Sequence, residues 1–491
     1  MSKVLGRMQK TRVTTLSSGV RVATQCIPSF NSATCGIWVA GGSAYDAKEA
    51  HGVAHFLEHM AFKGSARWPS QRQLELAVEN MGAKMHAFTS REETCFLSLA
   101  SPEAVPESTS ILLDLALQPS HEAYKVEMEK STIIREMEEV SKQPIEVVFD
   151  MLHELAFGKN EPFGRNILGT EASVQRISKS DLQRHLCKWY VPSRIVIAAA
   201  GRVSHESMVK LVENSPYFRA SSTLSHRSRS PQAVARYTKT LGFDCGNTVS
   251  TVDTGSYSGI SDPLCYAAIG TYADGIRHSN RATWLVMQAL MGHYRTDNPL
   301  LAACSGGGGA GGGGAGGSGL DKGRGPGITP LVGKTIVDRR IAEAVQGMYV
   351  PYADCGLFGV YFATQRSNVA RCCDAIRDEW ERIATRVSED EVAHAKAVAR
   401  DGVLMGEYDS ASTLCESVGK GVLTAGRHIS PQSWWNAFNK VNAAAVRKLA
   451  RGYLLKNPPV YAAVGPNMQD ALALGKVPNQ KYIKNLFTKL K

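Results

Sequence analysis

Apolar and polar positions alternate with a period of two through VRVATQ (20–25) and ATCGIWVAG (33–41), so residues 13–50 read as strands. A helical run follows across 51-HGVAHFLEHMAFKG-64. The stretch 83-AKMHAFTSREETCFLSLA-100 alternates again and reads as a hairpin turning at Ser90 to Glu93. Helical spacing then dominates from about 105 to 190, and IVIAAAG (195–201) returns as a buried strand.

The order recurs further on. A strand-like run (PLCYAAIG), a helix (ATWLVMQALMG) and a strand pair (GMYVPYADCGLFGVYFATQ) echo the first half, and the polar, turn-rich SSTLSHRSRSP at 221–231 looks like a linker. The expected fold class is α+β, with two related α/β domains at 1–220 and 237–491 joined through 221–236. Between Cys304 and Gly327 the chain is dominated by glycine, which favours a flexible surface loop over a packed element, with a mobile flap as the alternative. The nearby GITPLVGKT (327–335) lacks the glycine spacing of a phosphate loop and has Pro330 within it, so a nucleotide-hydrolysing function is excluded.

With 491 residues, 43% hydrophobic and 21% charged, the composition is that of a water-soluble globular protein. No apolar run approaches the roughly 20 residues of a membrane helix. Eleven cysteines without regular spacing read as reduced thiols. The net charge of +11 comes with no zinc-finger, RNP-like or basic-helix pattern, so no nucleic-acid partner is expected. The first 22 residues carry Lys3, Arg7, Lys10, Arg12 and Arg21 and no acid, a composition shared by organellar import signals and by basic frayed termini.

The chemistry concentrates in H-x-x-E-H. On a helix His55 and His59 project from one face, as a zinc site requires, with Glu58 beside them. A third ligand has to come from elsewhere, and the segment 122–150 offers Glu129 and Glu136, seven apart on one face. If Glu136 completes the site, Glu58 is free as a general base toward water, whose pKa zinc brings to about 7. A pair of satisfied core histidines and an acidic solvated helix face are the plainer alternatives. The same segment holds eight acids against four bases, which suits a cationic substrate; Glu146 and Asp150, four apart, could receive an arginine or be ordinary surface charge.

Taken together, HFLEHMAFKG (55–64), MGAKMHAFTSRE (81–92), TIIRE (132–136), EVVFD (146–150) and PFGRNILG (162–169) resemble the pitrilysin-like zinc peptidases with the inverted motif. That family includes the presequence-processing peptidases of mitochondria and the core proteins of the cytochrome bc1 complex. The resemblance implies two domains facing a central cavity and one Zn2+ held by His55, His59 and Glu136. It further implies Glu58 as the base and Glu129 as the acid supporting a zinc ligand. Phe62 would line the pocket just after the cut, Glu146 and Asp150 would accept an arginine before it, and His86 and Ala87 would contact an extended substrate strand. An α-type partner subunit, arginine-containing presequence peptides and the mitochondrial matrix are implied as well. So are two rivals, a structural subunit of the bc1 complex, alone or as a second role, and a broad oligopeptidase. His86 stands where the family has asparagine. Aligned through YADCGLFG (352–359), Glu343 stands where single-chain relatives have tyrosine, which implies that the second half is inactive. The glycine tract at 305–327 is similar in place to a loop of the family's non-catalytic subunit.

Overall fold

The computed structural model describes residues 10–218, 249–253, 264–296, 329–337, 339–457, 459–466 and 478–488. The linker expected at 221–236, the glycine tract at 305–327 and most of the basic first ten residues therefore lie outside the described residues. The fold is α+β, built on two six-stranded sheets. The first contains β1 (Arg12–Thr15), β2 (Arg21–Cys26), β3 (Ala33–Val39), β4 (Lys84–Thr89), β5 (Thr94–Ala100) and β6 (Ile195–Gly201), in the order β1-β2-β6-β3-β5-β4. The second contains β7 (Val249–Asp253), β8 (Leu264–Asp274), β9 (His293–Arg295), β10 (Ala344–Pro351), β11 (Cys355–Gln365) and β12 (Val460–Gly465), in the order β7-β12-β8-β11-β10-β9.

Five strands of each sheet, β2-β6-β3-β5-β4 and β7-β12-β8-β11-β10, repeat one topology. β2 runs parallel to β6 as β7 does to β12, and every other pair in the sheets is antiparallel. The hairpins β4–β5 and β10–β11 close alike, with Ser90 N donating to Glu93 O and Tyr352 N to Cys355 O, each at 2.7 Å. They differ at the edge. β4 ends the first sheet, whereas β10 is followed by β9, whose His293 to Arg295 pair with Gln346 to Ala344.

Six of the helices bear on the sheets and the site: α1 (Val53–Ala61), α2 (Val105–Leu117), α3 (Ala123–Ser141), α4 (Pro144–Phe157), α5 (Arg281–Met291) and α6 (Ala411–Ala425). One face of the first sheet packs on α1 and α2 through Ile37, Ala87, Phe96, Phe56 and Leu112. Its other face is covered from the second half by Leu414, Cys415, Val418 and Val422 of α6, against Trp38 and Leu97. The exchange is reciprocal. Val148, Leu152 and Ala156 of α4 cover the second sheet at Tyr266, Leu357 and Ala462. Burying apolar stripes of this kind stabilises at about 25 cal/mol per Å², so each half gives the other one wall of its core. The nine cysteines within the described residues are all free. Among the described residues no helix is long and apolar enough to cross a membrane.

Candidate metal centre

Helix α1 starts at a backbone feature that requires glycine. Gly52 has φ +94°, and a Cβ there would lie 2.5 Å from Leu168 O, so the 162–169 loop closes directly over the helix start. Gly52 cannot cap with a side chain, and Asp46 does so from a distance: its carboxylate accepts from Gly52 N at 2.7 Å and Ala54 N at 3.1 Å. His51 lies before the helix, its Nε2 2.6 Å from Asn166 O, and so does not share a face with the other two histidines.

His55 and His59 stand one above the other, ring centroids 4.6 Å apart. Glu136 of α3 meets them, its Oε2 3.1 Å from His59 Nε2 and 3.7 Å from His55 Nε2. A tetrahedral ion with bonds of about 2.0–2.1 Å sets its donors about 3.3 Å apart, within the span of these two distances. One donor atom from each of the three residues falls within 4.8 Å of the others, the one such group among the described residues. Both ring nitrogens of His55, and Oε2 of Glu58, are buried without a hydrogen-bond partner, which is costly unless something else meets them. The donor set therefore fits a divalent cation.

Glu129, two turns before Glu136 on α3, accepts from His59 Nδ1 at 2.9 Å. A carboxylate on the far nitrogen of a ligating imidazole fixes its tautomer and its orientation. The charges reflect this crowding. Burial drives His55 down to about 4. Burial also opposes charge on His59, but hydrogen bonds to Glu129 and Glu136 prevail and raise it to about 9. Two carboxylates that hold a proton on an imidazole concentrate negative charge where a cation would sit. Glu58 is pushed up to about 7 by burial, with the Thr89 hydroxyl pulling the other way, so it can both take and release a proton near neutrality.

The remaining residues expected to serve the site divide. His86 is exposed and Ala87 buried on β4, and Phe62, the residue after α1, packs half-buried against the first core. Glu146 reaches solvent, and among the described residues no cation lies within ion-pair distance of it; partial desolvation by the protein packed around it and then the neighbouring Asp150 hold its carboxyl above the usual range. Asp150 differs from a free acceptor. Its Oδ1 takes Arg91 at 2.8 Å and its Oδ2 takes Asn166 at 2.7 Å, so both oxygens are engaged inside the chain. In the second half, α5 (RATWLVMQALM) has neither histidine nor acid, and Glu343 is occupied by Thr296 Oγ1 at 2.8 Å. Sequence reasoning missed Asp46, Lys63, Arg91 and Asn166. Only Lys63 left a signal, standing four residues beyond His59.

Two imidazoles and a carboxylate around one point, beside a second carboxylate able to move a proton, are the parts of a metal-dependent hydrolase. Residues 21–171 match the family described as Insulinase (Peptidase family M16), and residues 176–398 match the Peptidase M16 inactive domain. The chain belongs to this peptidase family. It is 32% identical over 471 residues to the mitochondrial-processing peptidase subunit beta of Homo sapiens, covering 95% of this chain and 87% of that protein. The subunit of the same name from Dictyostelium discoideum is 32% identical over 458 residues, covering 93% and 89%. Among solved structures, a chain of complex III2 from Candida albicans, bound to Inz-5, superposes with a TM-score of 0.75 over 97% of this chain and 99% of its own, at 19% identity. That likeness concerns the fold.

Proposed function

We propose that this chain is the catalytic, β-type subunit of a zinc endopeptidase that removes arginine-containing presequences from proteins imported into mitochondria, acting in the matrix beside an α-type partner. The observation that carries the reading is the convergence of His55, His59 and Glu136 beside a buried, unpartnered Glu58 oxygen. The names of the relatives support the substrate class. On this reading residues 1–220 form the metal-bearing domain, 221–236 the linker and 237–491 the inactive one.

His55 Nε2, His59 Nε2 and Glu136 would hold the zinc ion. When bound, it supplies Lewis acidity and a water that ionises near neutrality. An extended peptide adds to the open edge of β4, pairing with the backbone around His86 and Ala87. Phe62 offers an apolar wall for the side chain after the cut. Glu58 Oε2 takes the proton of the attacking water and returns it to the amine nitrogen that leaves. Glu146 is the carboxylate open to a substrate guanidinium. Asp150, already spanned by Arg91 and Asn166, adds negative charge nearby rather than a second free fork.

The test uses the full chain, alone and with an α-type subunit, assayed for zinc content and for cleavage of a presequence peptide and its arginine-to-alanine analogue. Chelator-sensitive cleavage that needs the partner and prefers the arginine peptide supports the reading. Co-purification with cytochromes, without zinc or cleavage, would instead assign the chain to the structural role in the bc1 complex.

A further inference from the structure

Lys63 lies two residues past the end of α1, its backbone N–H donating to Met60 O at 3.1 Å. Its Nζ is 3.0 Å from Glu129 Oε2, while Glu129 Oε1 is 2.9 Å from His59 Nδ1. One carboxylate from α3 thus bridges two residues four apart at the end of the helix that carries the histidines. The Glu129 side chain is only 5% exposed, so water does little to hold it. Within the described residues these two contacts are its ion pairs.

The geometry has a mechanical consequence. A carboxylate bound at one oxygen can rotate about its Cγ–Cδ bond and swing on its χ angles; bound at both, it is fixed in position and plane. The His59 ring is oriented by Glu129 only as well as Glu129 is itself held, and His59 Nε2 must stay aimed toward Glu136 Oε2, 3.1 Å away.

We propose that Lys63 is a positioning residue of the metal centre: by bridging Glu129 it locks the His59 imidazole in the orientation that a metal ion requires. The inference rests on the metallopeptidase reading above. Lys63 touches neither the donor atoms nor the reacting groups, so its effect passes through Glu129 and vanishes when Glu129 is absent.

The test measures zinc affinity by competition with a chromophoric chelator, for the full-length wild type and for Lys63→Met, Lys63→Arg, Glu129→Ala and the double variant Lys63→Met/Glu129→Ala. Melting curves check that each variant is folded. Removing partners one shell outside a metal's ligands typically weakens binding about 10- to 100-fold, and Lys63 acts one step further out. Lys63→Met should therefore bind zinc about tenfold more weakly, at the lower end of that range. Lys63→Arg, which can still donate to Oε2, should recover most of the loss, and Lys63→Met should add nothing in the Glu129→Ala background. A Lys63→Met variant that binds zinc as tightly as the wild type overturns the proposal, as does an undiminished effect in the absence of Glu129. A wild type that fails to bind zinc at all would instead overturn the functional reading on which the proposal rests.

Discussion

Replacing Gly419 with alanine probes the seam on which the two halves depend. Gly419 sits mid-way along α6, and a Cβ there would lie 2.3 to 2.4 Å from Cδ2, Cε2 and Cε3 of Trp38. Carbon atoms rest at about 3.5–4.0 Å, so helix and ring must separate by more than about 1 Å. The ring has nowhere to go. Trp38 is fully buried in β3, and Gly36 on the same strand is itself needed to seat it, since a Cβ at Gly36 would meet the indole at 2.7 Å. Overpacking of this kind costs about 1–3 kcal/mol, and an overlap this deep on a rigid ring belongs at the upper end. Alanine returns about 1 kcal/mol of helix propensity, which leaves a net loss of about 2 kcal/mol. Gly406 and Gly452 are the controls. Both lie inside helices (Glu389–Tyr408 and Ala443–Tyr453) with nothing within 4 Å of where a Cβ would stand, so Gly→Ala there should stabilise by about 0.5–1 kcal/mol. Urea unfolding followed by tryptophan fluorescence compares the three variants. A Gly419→Ala midpoint equal to that of the controls would refute the docking of α6 on Trp38. Because the neighbouring Lys420 lies 3.6 Å from Glu93 in the β4–β5 turn, peptide cleavage should fall along with stability.

Glu58→Gln should keep zinc and lose at least about 100-fold in hydrolysis, the usual contribution of a general base, whereas His59→Ala should lose both; metal content and turnover of the two variants decide. Glu146→Gln should weaken arginine-containing peptides about 10- to 100-fold, the worth of a charged hydrogen bond, and leave the melting temperature unchanged. Asp150→Asn should lower the melting temperature, because Arg91, 3% exposed, loses its anion; a Glu146 variant that loses arginine-free substrates equally would remove it from that role. Burial pushes Asp46 up to about 8, against an unfolded value near 4. Between those values only the folded state holds this proton, so the contribution of Asp46 to stability should decline as pH rises from about 4 to 8. Asp46→Asn should flatten that slope in denaturation midpoints taken across the range, and an unchanged slope would assign it to another group.

Much of this was legible in the chain because period-two and helical patterns are local. The strands around VRVATQ and GIWVAG, the hairpin turning at Ser90 to Glu93 and the shared face of Glu129 and Glu136 all follow from spacing. The partner of each buried face is a different kind of fact. The apolar stripe of α4 announces burial but cannot say that it lies on the second sheet, nor that α6 returns the exchange across more than 200 residues. Asp150 shows the same limit at the site. Its place in EVVFD suggests an acid open to substrate, and only the fold reveals Arg91 and Asn166 on its two oxygens. Asp46 caps a helix six residues away through a loop, which no capping pattern encodes. Lys63 was within reach of a spacing argument, but the four-residue step from His59 acquires meaning only when Glu129 arrives from α3 to join them.

The metal-centre assignment stands most directly on where zinc binds. Anomalous diffraction at the zinc edge from crystals of the zinc-loaded protein should give one strong peak about 2.0–2.1 Å from nitrogens of His55 and His59 and from an oxygen of Glu136. No peak between α1 and α3, or a peak held by other residues, would contradict it.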